Sequence, residues 1–151
     1  RVHRCVLATQ SPVFRAMLKS GMEEAKTGEV KTNDTSPEAM KFFLRFIYSG
    51  DVPELSVEIA EDVMGLAEKY DVPAFIQHCV YILRQKIDVE NACLLMILGD
   101  RHNAEKLRSD AMQFLVEHDE CVETDGWKRL HDGSHVDLVT RFLKFAVWKK
   151  K

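Results

Sequence analysis

Ser11-Pro12-Val13-Phe14-Arg15-Ala16-Met17-Leu18-Lys19-Ser20-Gly21-Met22-Glu23-Glu24 is the stretch that decides how this chain is read. Ser11 is placed to cap a helix with its hydroxyl, and Pro12 suits the first helical position because its missing N–H leaves nothing unpaired there. Gly21 can adopt the left-handed conformation that ends a helix. Met22 then falls just past that end, where a flexible apolar side chain beside acids serves a partner better than a core. The pattern predicts a sharply started apolar helix followed by a hydrophobic and acidic docking loop.

Helix signals continue in both directions. Ser36-Pro37 repeats the cap-then-proline start, and Met40, Phe43, Leu44 and Ile47 follow at amphipathic helix spacing up to the terminator Gly50. Ser56 is read as the cap of a helix carrying Ile59, Ala60, Val63, Met64 and Ala67, and Pro73 opens another with Phe75, Ile76, Cys79, Val80 and Leu83. Asp88 is read as the cap of a helix through Leu94, Leu95 and Leu98. A break at His102-Asn103 leads to a second helix with Leu107, Ala111, Phe114 and Leu115, which makes a helical hairpin. The polar run from His118 to Asp125 and the Asp132-Gly133-Ser134 turn set off a short piece with Trp127 from a last helix bearing Leu138, Val139, Phe142, Leu143 and Ala146. Only Gly28-Glu29-Val30-Lys31-Thr32 reads as a strand. The expectation is a mainly α chain with a small β element and a junction near Lys86 to Val89.

With 151 residues and 46% hydrophobic content, the chain can bury one good core or two small ones. A net charge of −3 supplies no general basic field for nucleic acid, and the one local basic run, Lys149-Lys150-Lys151, reads as a solvated end before a targeting signal. Leu94 to Leu98 is far shorter than the ~20 residues of a membrane span, so a membrane protein is not expected. Cys5, Cys79, Cys93 and Cys121 are widely spaced, which argues for reduced, mostly buried thiols in an intracellular protein. Arg1 begins without an initiator methionine, and upstream sequence is expected to be missing.

The chemical constellations are weak. His131 and His135 are four apart, but Asp132-Gly133-Ser134 breaks the helix that would align them and no third ligand has matching spacing. Adjacent His78 and Cys79 point to different helix faces, so a nucleophile–base pair is not expected. The usual sequence marks of catalysis and phosphate binding are missing. We expect no enzyme, no metal and no cofactor. Glu23, Glu24 and Glu29 beside Lys19, Lys26 and Lys31 read, on their own, as a solubilising surface.

A resemblance changes that last reading. His3-Arg4-Cys5-Val6-Leu7, the Ser11 to Glu24 run and Phe42-Phe43-Leu44-Arg45-Phe46-Ile47-Tyr48-Ser49-Gly50 match, in order and spacing, the BTB/POZ domain. Ala67-Glu68-Lys69-Tyr70 resembles the Ala-Asp-Lys-Tyr of the speckle-type POZ group within that family. Val89-Glu90-Asn91-Ala92, Asp100 to Leu107 and Gly126-Trp127-Lys128 resemble that group's three-box and shortened BACK domain. The resemblance implies a truncated α/β BTB/POZ domain over residues 1–86, lacking its first helix and strands, and an all-α BACK domain over 87–151.

It also implies a function. In such adaptors a hydrophobic residue, any residue and a glutamate dock the cullin-3 scaffold of a ubiquitin ligase, and Met22, Glu23 and Glu24 match that pattern. The chain would be a substrate adaptor that presents proteins recruited by an upstream domain, resident in the nucleus and also in the cytoplasm. Self-association would run through Val6 in the BTB part and Leu143 in the last helix, where leucine stands at an aromatic position. Using the same fold without a cullin, a self-associating scaffold for transcriptional co-regulators is the alternative, and an unrecognised enzyme is a third, remote class.

Overall fold

The computed structural model describes residues 3–19, 26–27, 35–52 and 55–149. Its contacts divide the chain into two compact units, Arg1–Cys79 and Val80–Lys151. Among the described residues the regular structure is helical and no strand is present. The strand expected at Gly28 to Thr32 lies outside the described residues.

In the first unit, α1 (Arg4–Gln10) and α2 (Pro12–Lys19) meet at Ser11. Ser11 ends α1 by donating its N–H to the Leu7 carbonyl at 2.9 Å. It starts α2 by accepting the Phe14 N–H on its hydroxyl at 3.1 Å. The Arg15 side chain holds the corner, with Nε on the Ala8 carbonyl at 2.8 Å, where it satisfies a carbonyl that the end of α1 leaves without a helical partner. Sequence reasoning did not assign α1, because seven residues without a proline or an acid in the first turn carry little start signal.

Helix α3 (Pro37–Ser49) is capped by the Ser36 hydroxyl, which accepts from the Ala39 N–H at 3.0 Å. Gly50 ends it at φ 74°, a conformation that favours glycine, with its N–H on the Phe46 carbonyl at 2.8 Å. Helix α4 (Val57–Lys69) follows, and α5 (Pro73–Arg84) opens at its proline as expected. Ser56 is a correction. It has the extended backbone of an N-cap, φ −92° and ψ 162°, but its side chain makes no cap hydrogen bond.

An aromatic row fills this unit. Phe14 and Tyr70 stack with centroids 4.3 Å apart, Phe43 tilts against Tyr70 at 5.4 Å, and Phe46 stacks on Phe75 at 4.4 Å. Such pairs add about 0.5–1.5 kcal/mol each beyond the area they bury. Val52, Leu55, Ala60, Val63, Met64 and Ala67 are completely buried around the row.

The second unit is built on the expected hairpin. Helices α6 (Ala92–Arg101) and α7 (Glu105–Glu117) are joined through Asn103, which takes φ 51°. They approach so closely at Gly99 that a Cβ there would lie 2.7 Å from the Arg108 backbone nitrogen. Asp88 is a second correction. Its carboxylate accepts from the Glu90 and Asn91 N–H groups at 3.0 and 2.9 Å, so it caps the preceding turn while Asn91 takes the N-cap of α6. The Asn91 side chain answers by accepting the Asp88 N–H at 2.9 Å.

The polar run after α7 holds a 3-10 helix, Asp119–Glu123, anchored by fully buried Cys121. Thr124 donates its hydroxyl to the Cys121 carbonyl at 2.8 Å and accepts the Trp127 N–H at 3.2 Å, capping α8 (Asp125–Leu130). The turn at Gly133, φ 94°, leads to α9 (Val136–Lys149), which buries Leu138 and Phe142. Trp127 meets Phe142 edge-on at 5.9 Å.

Candidate interaction surface

The chemistry-bearing side chains are arranged as structure. His78 Nε2 lies 3.2 Å from the Val52 backbone nitrogen and 3.1 Å from Asp51, and its ring packs on Phe46, while Cys79 is fully buried. The two neighbours therefore do not act as a pair. Burial pushes the Cys79 and Cys93 thiols up to about 12, which leaves them protonated and poor nucleophiles. Among the described residues no three His, Cys, Asp or Glu side chains gather as metal ligands, and no helix is long and apolar enough to cross a membrane.

What the fold presents is surface. Val6 sits half-buried on α1, directly before the buried Leu7. Tyr48, at the end of α3, accepts the His3 backbone N–H and so ties the start of α1 to α3. Met22, Glu23 and Glu24 lie outside the described residues. Leu94 on α6 is 43% exposed although its neighbours Leu95 and Leu98 are core, so the hairpin shows one apolar side chain outward. Leu143 on α9 is 55% exposed. Val6 and Leu143 belong to different units, and Met22 to Glu24 fall in the same stretch of chain as Val6.

The orientation of α9 is fixed by Asp100, a centre that sequence spacing did not reveal. Asp100 accepts from Arg108 of α7 at 3.0 Å and from both terminal nitrogens of Arg141 of α9, at 2.7 and 2.9 Å. Burial alone would raise the Asp100 carboxyl, but the hydrogen bonds and charges of Arg141 and Arg108 outweigh it and hold the group below its usual range. The two-pronged Arg141 contact sets the rotation of the helix about its axis. With Leu138 and Phe142 inward, Val136, Leu143 and Val147 are left facing out.

Among the described residues the first unit carries the Ser11-Pro12 cap and the second unit a hairpin with Leu94 outward. The BTB/POZ domain profile matches residues 1–87. The chain belongs to the BTB/POZ family. It is 37% identical over 141 residues to mouse TD and POZ domain-containing protein 4, covering 92% of this chain and 38% of that protein. It is 38% identical over 141 residues to mouse TD and POZ domain-containing protein 5, covering 41% of it. The chain thus spans about two-fifths of the length of these relatives.

The resemblance pointed to the speckle-type POZ group, whereas these relatives bear TD and POZ names, so membership rests on the BTB/POZ family itself. BTB domains mediate protein–protein interaction and self-association, and proteins of the family are typically adaptors or scaffolds without catalytic activity.

Proposed function

We propose that this BTB/POZ chain is the ligase-facing part of a substrate adaptor for a cullin-3 ubiquitin ligase. Met22 would fill an apolar pocket on the cullin while Glu23 and Glu24 accept hydrogen bonds at its rim. The α6–α7 hairpin, read as a three-box and BACK domain, would extend that contact through Leu94. The BTB unit would self-associate near Val6, and substrates held by sequence outside this chain would be brought close to the ligase, where tethering raises their effective concentration.

The observation that carries this reading is the BTB/POZ match over residues 1–87, whose sequence includes the hydrophobic-x-Glu triplet Met22-Glu23-Glu24. Calorimetric titration of the cullin-3 N-terminal domain into the chain tests it. Binding is expected, and Met22→Asp should weaken it roughly 30-fold or more, the loss of a desolvated anchor, with an unchanged circular dichroism spectrum. A folded chain that self-associates and binds no cullin would instead support the co-regulator scaffold.

A further inference from the structure

His78 on α5 meets the connection between α3 and α4 through one atom. Its Nε2 lies 3.2 Å from the Val52 backbone nitrogen, whose N–H points at it, and 3.1 Å from the Asp51 carboxylate. These two neighbours make opposite demands on that nitrogen. A backbone N–H needs a lone pair to donate into, whereas a carboxylate oxygen needs an N–H to accept from. Neutral imidazole with its hydrogen on Nδ1 satisfies Val52 and leaves two electron-rich atoms, Nε2 and the Asp51 oxygen, side by side. Imidazolium satisfies Asp51 and sets two N–H groups against each other. One nitrogen cannot serve both.

The surroundings give that competition a consequence. Val52 is completely buried, so an N–H released there cannot pass to water while the backbone stays where it is. The segment is tied on both sides: the Ser49 hydroxyl accepts the Asp51 N–H at 3.3 Å, and the Val52 carbonyl accepts the Leu55 N–H at 3.1 Å. The His78 side chain is 21% exposed, so solvent protons reach the ring. Phe46, itself stacked on Phe75, packs on the ring with centroids 5.3 Å apart, so a change of partner is taken up by the Asp51-Val52 backbone.

Among the described residues, the charged group that faces the ring from the α3–α4 connection is Asp51. From α3 the ring meets Phe46, while Lys41 and Arg45 line a groove towards Asp62 of α4. On α5 itself the titratable neighbours are Cys79, kept protonated by burial, and exposed Tyr81. Asp51 is therefore the group that answers a charge on His78. We propose that His78 is a proton-operated latch on the α3–α4 connection. As neutral imidazole it holds the Val52 N–H; on taking a proton from solvent at Nε2 it donates to Asp51 and lets the Val52 N–H go. Histidine is the side chain whose charge changes between about pH 5 and 8, which suits it to such a device.

Nuclear magnetic resonance on the whole isotope-labelled chain reads both partners. At about pH 8, the neutral end of histidine titration, His78 should be the Nδ1–H tautomer and the Val52 amide should exchange slowly with solvent. Towards about pH 5, Nε2 should gain its proton, and Val52 protection, corrected for the intrinsic effect of pH on exchange, should fall roughly tenfold or more. His78→Gln keeps an acceptor oxygen that does not titrate and should remove the pH dependence. Asp51→Asn changes a side chain that is 60% exposed, so the fold should persist, and the fall in protection should move to lower pH because the imidazolium loses its partner. An Nε2–H tautomer at the higher pH, or Val52 protection that stays constant while His78 titrates, overturns the proposal. So does a pH dependence that survives His78→Gln, or one that Asp51→Asn leaves where it was.

Discussion

The Ser11 hydroxyl donates to the Tyr70 carbonyl across 59 residues of sequence while it accepts the Phe14 N–H, so one completely buried oxygen joins the start of α2 to the end of α4. The Phe14 and Tyr70 rings stack directly beside it. Removing the hydroxyl leaves a helix N-terminus uncapped and a buried carbonyl short of its donor. Ser11→Ala should lower stability by about 2 kcal/mol, the sum of a cap and one buried hydrogen bond. Chemical denaturation of the variant measures it. A loss below a few tenths would mean water replaces the contact.

Two helical glycines should respond in opposite directions. A methyl at Gly99 would meet the Arg108 backbone, so Gly99→Ala should cost on the order of 1–3 kcal/mol as α6 and α7 are forced apart. At Gly65 a methyl meets nothing within 4 Å, and Gly65→Ala should stabilise α4 by up to about 1 kcal/mol. Thermal unfolding of the pair separates packing from helix propensity.

Acid should loosen the second unit through Asp100. Its carboxyl is held below the ordinary 3.8 in the folded protein, so the folded state favours the charged form. The resulting stability is complete above the unfolded value and is lost as pH falls below 3.8 towards the folded one. Asp100→Asn should be less stable than the parent near neutral pH, and the difference should shrink as the medium is acidified through that range. Denaturation curves recorded across acidic pH for both proteins check the slope. A constant difference would remove the arginine pairs as its source.

Thiol chemistry should single out one cysteine. Cys5 is exposed, whereas Cys79, Cys93 and Cys121 are buried, and burial raises the thiols of all three. A disulfide reagent at mildly alkaline pH should label Cys5 quickly in the native protein and the other three only on unfolding. Cys5→Ser should abolish the fast phase. A second fast thiol would indicate local opening of one of the buried sites.

Chain chemistry alone determined most of the local structure, because it is written in neighbouring residues. Ser11-Pro12, Ser36-Pro37, Gly50, Pro73 and the His102-Asn103 break mark helix ends, and each lies at or beside a boundary in the fold. The core positions followed from the same periodicity: Phe43, Ile47, Val63, Met64, Leu95 and Leu107 are all buried. The order of the Ser11 and Phe42 to Gly50 runs also pointed to the BTB/POZ family.

Pairings between distant residues were decided only by tertiary structure. No local pattern distinguishes a serine that caps from one that does not, so Ser56 was read like Ser11, yet only Ser11 accepts a helix N–H on its side chain. Asp88 looked like a helix cap because an aspartate before an apolar run fits either a turn or a helix start, and reciprocal bonds with Asn91 decided for the turn. Leu94 and Leu95 are equivalent by composition, but the packing of α6 buries one and exposes the other. Above all, Asp100 and Arg141 are 41 residues apart, and their contact fixes which side of α9 faces out. Periodicity shows that a helix has an apolar side; only the partners that pack against it determine how much of that side is left for another protein.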